Sequence, residues 1–155
     1  GDWLYRALWR AGFADQPEST SADDGLELTG AFVTSPVKCA PPNNTPTPEE
    51  RDTCRPFLER ELELLTEVRV LVALGAFGFA ETARWFGIRP KPKFAHGAEV
   101  ALPGDRTLIG SYHVSQQNTF TGRLTEDMLD AVFSRARELG SPSAVGRNAD
   151  TSPPT

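Results

Sequence analysis

Long apolar runs are missing from this sequence: no stretch approaches the roughly 20 residues that a bilayer-spanning helix needs, which excludes a helical membrane anchor within the 155 residues. No secretory signal is visible. Cysteine is scarce, with only Cys39 and Cys54, too few for a disulfide scaffold. Positive charge is not in excess: the net charge of −5 argues weakly against a nucleic-acid partner. The local field decides phosphate contact, however, and Arg84, Arg89, Lys91, Lys93, Arg106 and Arg123 gather in the second half. The Gly-x-G-x-x-Gly fingerprint of dinucleotide binders is also absent. Leu74-Gly75-Ala76-Phe77-Gly78 falls short of it, and no acid follows at ribose distance. A doubly wound nucleotide binder is therefore the weakest of the function classes considered.

What is present is one domain's worth of core, since 39% of the residues are apolar in a chain long enough to bury them. Helical spacing begins at once, with Trp3, Leu4, Ala7, Leu8 and Ala11 ahead of a Gly12 stop. Because the first residue is Gly and no cap precedes this helix, further sequence is expected upstream. Asp15 to Gly25 reads as a loop. Leu26 to Thr34 reads as a strand weakened by Gly30 and ended by Ser35-Pro36. Val37 to Pro46 is a proline-stiffened loop. Thr47-Pro48-Glu49-Glu50 is a capping-box helix start, and the helix runs to about Glu67, with Cys54, Leu58, Leu62 and Leu65 on one face.

Arg69 to Gly75 is a continuous apolar run that reads as a fully buried parallel strand. Ala76 to Gly87 is expected as a helix, with Phe77, Ala80, Ala83, Trp85 and Phe86 mostly buried. Arg89 to Phe94 alternates proline with cations. A short strand and turn cover Phe94 to Gly97 and Glu99 to Leu102; the Pro103-Gly104-Asp105 turn then leads into a strand from Thr107 to Tyr112. The polar loop Val114 to Arg123 separates that strand from a final helix, Thr125 to Leu139, whose apolar face carries Met128, Leu129, Val132, Phe133 and Ala136. Ser141 to Thr155 reads as a disordered tail. The alternation of strands and helices predicts an α/β fold, three layers (α/β/α) around a central parallel sheet of about four strands. Ligands of such sheets bind beyond the carboxyl ends of the strands. Ser35 to Cys39, Gly75 and His113 are expected to share that edge. His96 reads as a structural or surface histidine.

Four stretches then resemble a known family in its order: Val37-Lys38-Cys39-Ala40-Pro41-Pro42-Asn43-Asn44 with Thr45 to Glu50, Cys54, Val70 to Gly75, and His113-Val114-Ser115-Gln116-Gln117-Asn118-Thr119-Phe120-Thr121-Gly122. Together they resemble the uracil-DNA glycosylases, the iron–sulfur-containing bacterial families in particular, and the family 5 (type b) branch best. The resemblance covers about Gly1 to Leu139. Residues 1–140 would be the C-terminal part of one glycosylase domain, with 141–155 as the tail.

That resemblance implies excision of uracil from double- or single-stranded DNA by a monomer in the bacterial cytoplasm, without a membrane partner. The base must leave the duplex for this chemistry. His113 matches the histidine that reaches the flipped base and stabilises negative charge. Asn118 and Asn44 match polar pocket residues, with Asn43 competing for the second role. Ser35 stands where the sister branch uses asparagine to read uracil's edge, so other deaminated bases are expected substrates as well. Gln116 or Gln117 would fill the gap left by the base, while Arg123, Lys91 and Lys93 would contact phosphates. Cys39 and Cys54 would be two of the four thiolates of a [4Fe–4S] cluster; Lys38, beside Cys39, would pair with phosphate or with an acid. The other two thiolates, the water-orienting acid and the base-stacking aromatic would lie upstream. A non-catalytic iron–sulfur DNA-binding protein of the same fold is the alternative. Without the upstream motif, the chain by itself is expected to be unstable or inactive.

Overall fold

β3 (Arg106–Ser111) is the strand around which the layers assemble. Its last four residues, Leu108 to Ser111, are all buried, and side chains of a strand alternate between faces. Leu108 therefore joins Ala73, Phe79, Ala83 and Leu102 on one side of the sheet, while Ile109 joins Val132 and Ala136 on the other. The computed structural model describes residues 2–37 and 46–141. Within these residues the sheet has three strands in the order β1-β3-β2.

β1 (Val70–Leu74) pairs parallel with β3, from Val70↔Thr107 to Leu74↔Ser111. β2 (Glu99–Leu102) pairs antiparallel, from Glu99↔Ile109 to Leu102↔Arg106. The sheet is thus mixed, because the Pro103-Gly104-Asp105 turn joins β2 and β3 as a hairpin and a hairpin can only be antiparallel. β1 is parallel as expected but half-buried: Ala73 alone of its residues is buried. It lies at the edge of the described sheet, where one flank has no neighbouring strand. The expected strand over Leu26 to Thr34 does not form. An isolated bridge between Ala14 and Leu28 takes its place, Gly30 turns the backbone through φ +71°, and Phe32 and Val33 stay exposed.

Helices cover both faces. α1 (Asp2–Arg10) buries Ala7 and Leu8 against Leu124, Leu129 and Phe133, and Arg10 reaches Asp130 at 2.8 Å. α2 (Pro48–Leu64) starts with the expected box: Glu50 N donates to Thr47 Oγ1 (3.1 Å), and Thr47 N donates back to Glu50 Oε2 (2.9 Å). It ends at Leu64, three residues short of Glu67, and Cys54 is its buried residue. Arg51 of α2 reaches Glu81 of α3 (Ala76–Trp85) at 3.6 Å. On α3 the burial differs from the pattern expected: Phe79 is fully buried, whereas Phe77 is exposed. Counting three and four residues back from Ala83 puts Phe79 and Ala80 on its stripe, and Phe77 falls off it. A short helix not expected from sequence, α4 (Gln116–Phe120), interrupts the polar loop. α5 (Glu126–Gly140) follows the Thr125 cap as expected. The tail beyond Ser141 lies outside the described residues.

Gly110 is required by closeness. A Cβ there would lie 2.8 Å from the Ala95 carbonyl oxygen and 3.2 Å from the Phe79 ring. Backbone cannot yield as a flexible side chain does, so Gly110→Ala is expected to cost on the order of 1–3 kcal/mol in denaturant unfolding. An unchanged midpoint would show that the 94–98 segment moves freely.

Arg135 of α5 clamps the start of β2, donating to Glu99 Oε1 at 2.6 Å. This hydrogen bond holds the Glu99 carboxyl below its ordinary range. A carboxylate depressed on folding adds stability above its unfolded value of about 4.3 and loses it as pH falls through the lower folded value. Glu99→Gln should therefore lower Tm by no more than a few degrees at pH 7, and the gap should close below about pH 4. A gap that stays constant with pH would assign the effect to packing.

Candidate active site

The parallel register brings two chain exits to one edge of the sheet. Past Leu74↔Ser111, β1 passes into Gly75 and β3 into Tyr112 and His113. Gly75 N donates to Ser111 O at 2.7 Å, which closes the ladder at its last rung. Gly75 then adopts φ +100°, and an ideal Cβ on it would lie 3.4 Å from His113 Cβ and 3.5 Å from His113 Cδ2. The histidine thus packs against bare backbone at the start of α3.

His113 itself is exposed, and its main chain is held from both sides. Its carbonyl accepts from Asn118 Nδ2 at 2.9 Å, and the preceding amide, Tyr112 N, donates to His96 Nδ1 at 3.1 Å. Among the described residues, no side chain hydrogen-bonds the exposed His113 ring. An imidazole held this way suits donation to an incoming carbonyl and stabilisation of charge building up on it. Without a carboxylate on the ring, it has no proton-relay partner within these residues.

α4 forms because Ser115 Oγ accepts from Asn118 N (3.4 Å) and Thr119 Oγ1 donates to Ser115 O (3.2 Å). Leu124 N donates to Asn118 O at 3.0 Å, bending the chain back toward the core, where Leu124 is fully buried. Asn118 therefore serves His113 and the turn together. Gln116 and Gln117 sit exposed on the first turn of α4, and Phe120 at its end is 81% exposed. Arg123 lays its guanidinium over the Tyr112 ring, 4.8 Å from the centroid. Phe94 meets the same ring edge-on at 6.2 Å, which anchors the segment carrying the exposed Lys91 and Lys93.

Of the residues singled out in the sequence, His113, Asn118, Gln116, Gln117 and Arg123 gather on this edge. Ser35 is exposed, and its Oγ accepts from Val37 N at 3.3 Å. Among the described residues no hydrogen bond joins Ser35 to His113 or Asn118. Cys39, Asn44, Asn43 and Lys38 lie outside the described residues. Cys54 is a buried free thiol. No group of three or more His, Cys, Asp and Glu that could hold a metal ion occurs among the described residues. His96, expected as a structural or surface histidine, bonds two backbone groups: Tyr112 N donates to its Nδ1 at 3.1 Å, and Met128 O lies 3.2 Å from its Nε2.

The parallel pair thus delivers a glycine turn and an exposed imidazole to one edge, beside a polar loop. The family model described as the uracil DNA glycosylase superfamily matches residues 1–137, and the chain belongs to that superfamily. It is 49% identical over 142 residues to the type-5 uracil-DNA glycosylase of Mycobacterium tuberculosis, covering 90% of this chain and 53% of that protein. It is also 49% identical over 140 residues to the type-5 uracil-DNA glycosylase of Thermus thermophilus, covering 90% and 64%. The type-4 uracil-DNA glycosylase of Thermotoga maritima matches over 55 residues only, at 44% identity and 35% of this chain. The chain thus spans between about half and two-thirds of the length of the type-5 relatives.

Gly75→Ala combines backbone strain at φ +100° with crowding of the His113 ring. It is expected to cost on the order of 1–3 kcal/mol of stability and to shift the His113 ring resonances in NMR. Unshifted resonances would show that His113 does not depend on the Gly75 turn.

Proposed function

We propose that this chain supplies the C-terminal part of a single-domain DNA glycosylase that hydrolyses the N-glycosidic bond of uracil in DNA and leaves an abasic site. The observation that carries the proposal is His113, exposed and held through its main chain at the β1–β3 edge. In this reading uracil leaves the base stack and enters beyond that edge. The His113 ring donates a hydrogen bond to a uracil carbonyl oxygen as the bond from the base nitrogen to C1′ breaks, and so stabilises the negative charge passing to the base. Water adds to C1′, its proton goes to a base supplied from outside the described residues, and the departing uracil anion takes up a proton. Asn118 keeps the His113 carbonyl in place and flanks the same pocket; Asn44, with Asn43 competing for the role, is the further polar residue that the family resemblance implies.

Gln116 or Gln117 fills the space that the base vacates. Arg123, steadied on Tyr112, contacts phosphate together with Lys91 and Lys93. Phosphate contacts position the duplex without reading sequence. Ser35 at the uracil-reading position widens the choice of base, so hypoxanthine is expected to be excised as well as uracil.

The same reading assigns Cys39 and Cys54 to a [4Fe–4S] cluster. A buried Cys54 on a rigid helix suits a thiolate ligand, but such a cluster takes four thiolates and this sequence has two cysteines. The residues present do not complete the site, and no step of the chemistry runs through it. A DNA-repair protein of this kind works as a monomer in the bacterial cytoplasm. None of the described helices is long and apolar enough to cross a bilayer.

The test uses the protein at its full natural length, a duplex carrying one uracil or one hypoxanthine, and alkali to cleave abasic sites. Strand breaks are expected with both bases, and His113→Ala should lower the rate by about 10²–10³. Salt-dependent DNA binding with no breaks would overturn the glycosylase in favour of a non-catalytic DNA-binding protein. Breaks at full rate in His113→Ala would move the chemistry away from this edge.

A further inference from the structure

The hydrogen bonds of His96 reach two different elements. Its Nδ1 accepts from Tyr112 N at 3.1 Å, and its Nε2 lies 3.2 Å from the carbonyl oxygen of Met128 in the first turn of α5. An amide N–H only donates and a carbonyl only accepts, so the ring carries its proton on Nε2. The Nδ1 contact stands where a sheet rung would be. Amides of residues two apart on a strand point the same way, so Gly110 N and Tyr112 N both face the β2 side. Gly110 N finds Ala98 O at 2.9 Å. Gly97 N also donates to Gly110 O at 2.7 Å, so two residues face Gly110. At Gly97, φ +79°, the partner chain leaves the regular register, and His96 Nδ1 takes the Tyr112 N–H that a further backbone carbonyl would have taken. The ring also packs on Tyr112, centroids 5.0 Å apart, on the side chain that carries Arg123.

We propose that His96 is a positioning residue for His113: its Nδ1 extends the β2–β3 ladder by one rung and sets the amide from which His113 departs. This rests on the role given to His113 above. Tyr112 N is one peptide from the His113 Cα, and displacement of a reacting group by about 1 Å can cost 10²-fold in rate. The link through Nε2 ties the same rung to α5, but the Nδ1 acceptor is the contact that bears on the chemistry.

The two ring nitrogens can be separated by substitution. Asparagine places an acceptor oxygen near the Nδ1 position and does not reach Met128; glutamine places a donor near Nε2 and offers Tyr112 nothing. Single-turnover excision of uracil on saturating enzyme, which removes DNA affinity from the rate, should stay within about threefold of wild type in His96→Asn and fall about tenfold or more in His96→Gln and His96→Ala. Thermal midpoints should run otherwise, with His96→Gln at least as stable as His96→Asn. Equal rate losses in the two variants, or rates that follow the midpoints, would overturn the proposal while leaving His113 in its role. His113→Ala is measured alongside, and a wild-type rate there would overturn the role of His113 and this inference with it.

Discussion

The hydrogen bond from Gly75 N to Ser111 O is the hinge of the whole arrangement. It closes the parallel ladder at the edge where two strands end, and everything around the site depends on both chains leaving the sheet at that height. Ser111 is fully buried, with its hydroxyl donating to the Tyr112 carbonyl at 3.0 Å, so β3 has no slack to pass on to the loop. The two cores on either face supply the force that keeps the ladder registered. Phe79 and Leu108 pack below, Ile109 and Val132 above, each worth about 1.5–3 kcal/mol of burial. A one-residue slip would exchange the two sets.

Much of this was legible in the sequence because it rests on short-range rules. The capping box at Thr47 and the Thr125 cap are local chemistry and formed where expected. The apolar run of β1 and the periodic face of α5 are patterns that any packed layer would demand. The α/β class followed from their alternation. His113 stood out because a strand handed over there to amides and hydroxyls.

What escaped was settled by partners distant in sequence. Leu26 to Thr34 has strand-like residues but, among the described residues, forms only an isolated bridge to Ala14, and Gly30 turns it away. Burial of β1 was overestimated because periodicity cannot tell a central strand from an edge. α4 was hidden because Asn and Thr are weak helix formers, and the Ser115 cap with the Leu124 anchor outweighs that preference. For His96 the structural reading held, but its partners, 16 and 32 residues away, were not legible. The pairing of β2 with β3 makes those distances short.

The antiparallel pairing of β2 with β3 also constrains how this segment can change length over evolutionary time. The Pro103-Gly104-Asp105 turn lies beyond the last paired residues, Leu102 and Arg106, and all three of its residues are exposed. Insertions there lengthen a surface loop and leave every rung intact. A single deletion between Gly97 and Leu102 would instead shift the chain before β2 against β3 and draw the His96 ring away from Tyr112 N. Homologous chains should therefore vary freely in the turn while keeping one fixed spacing from the paired end of β2 back to this histidine.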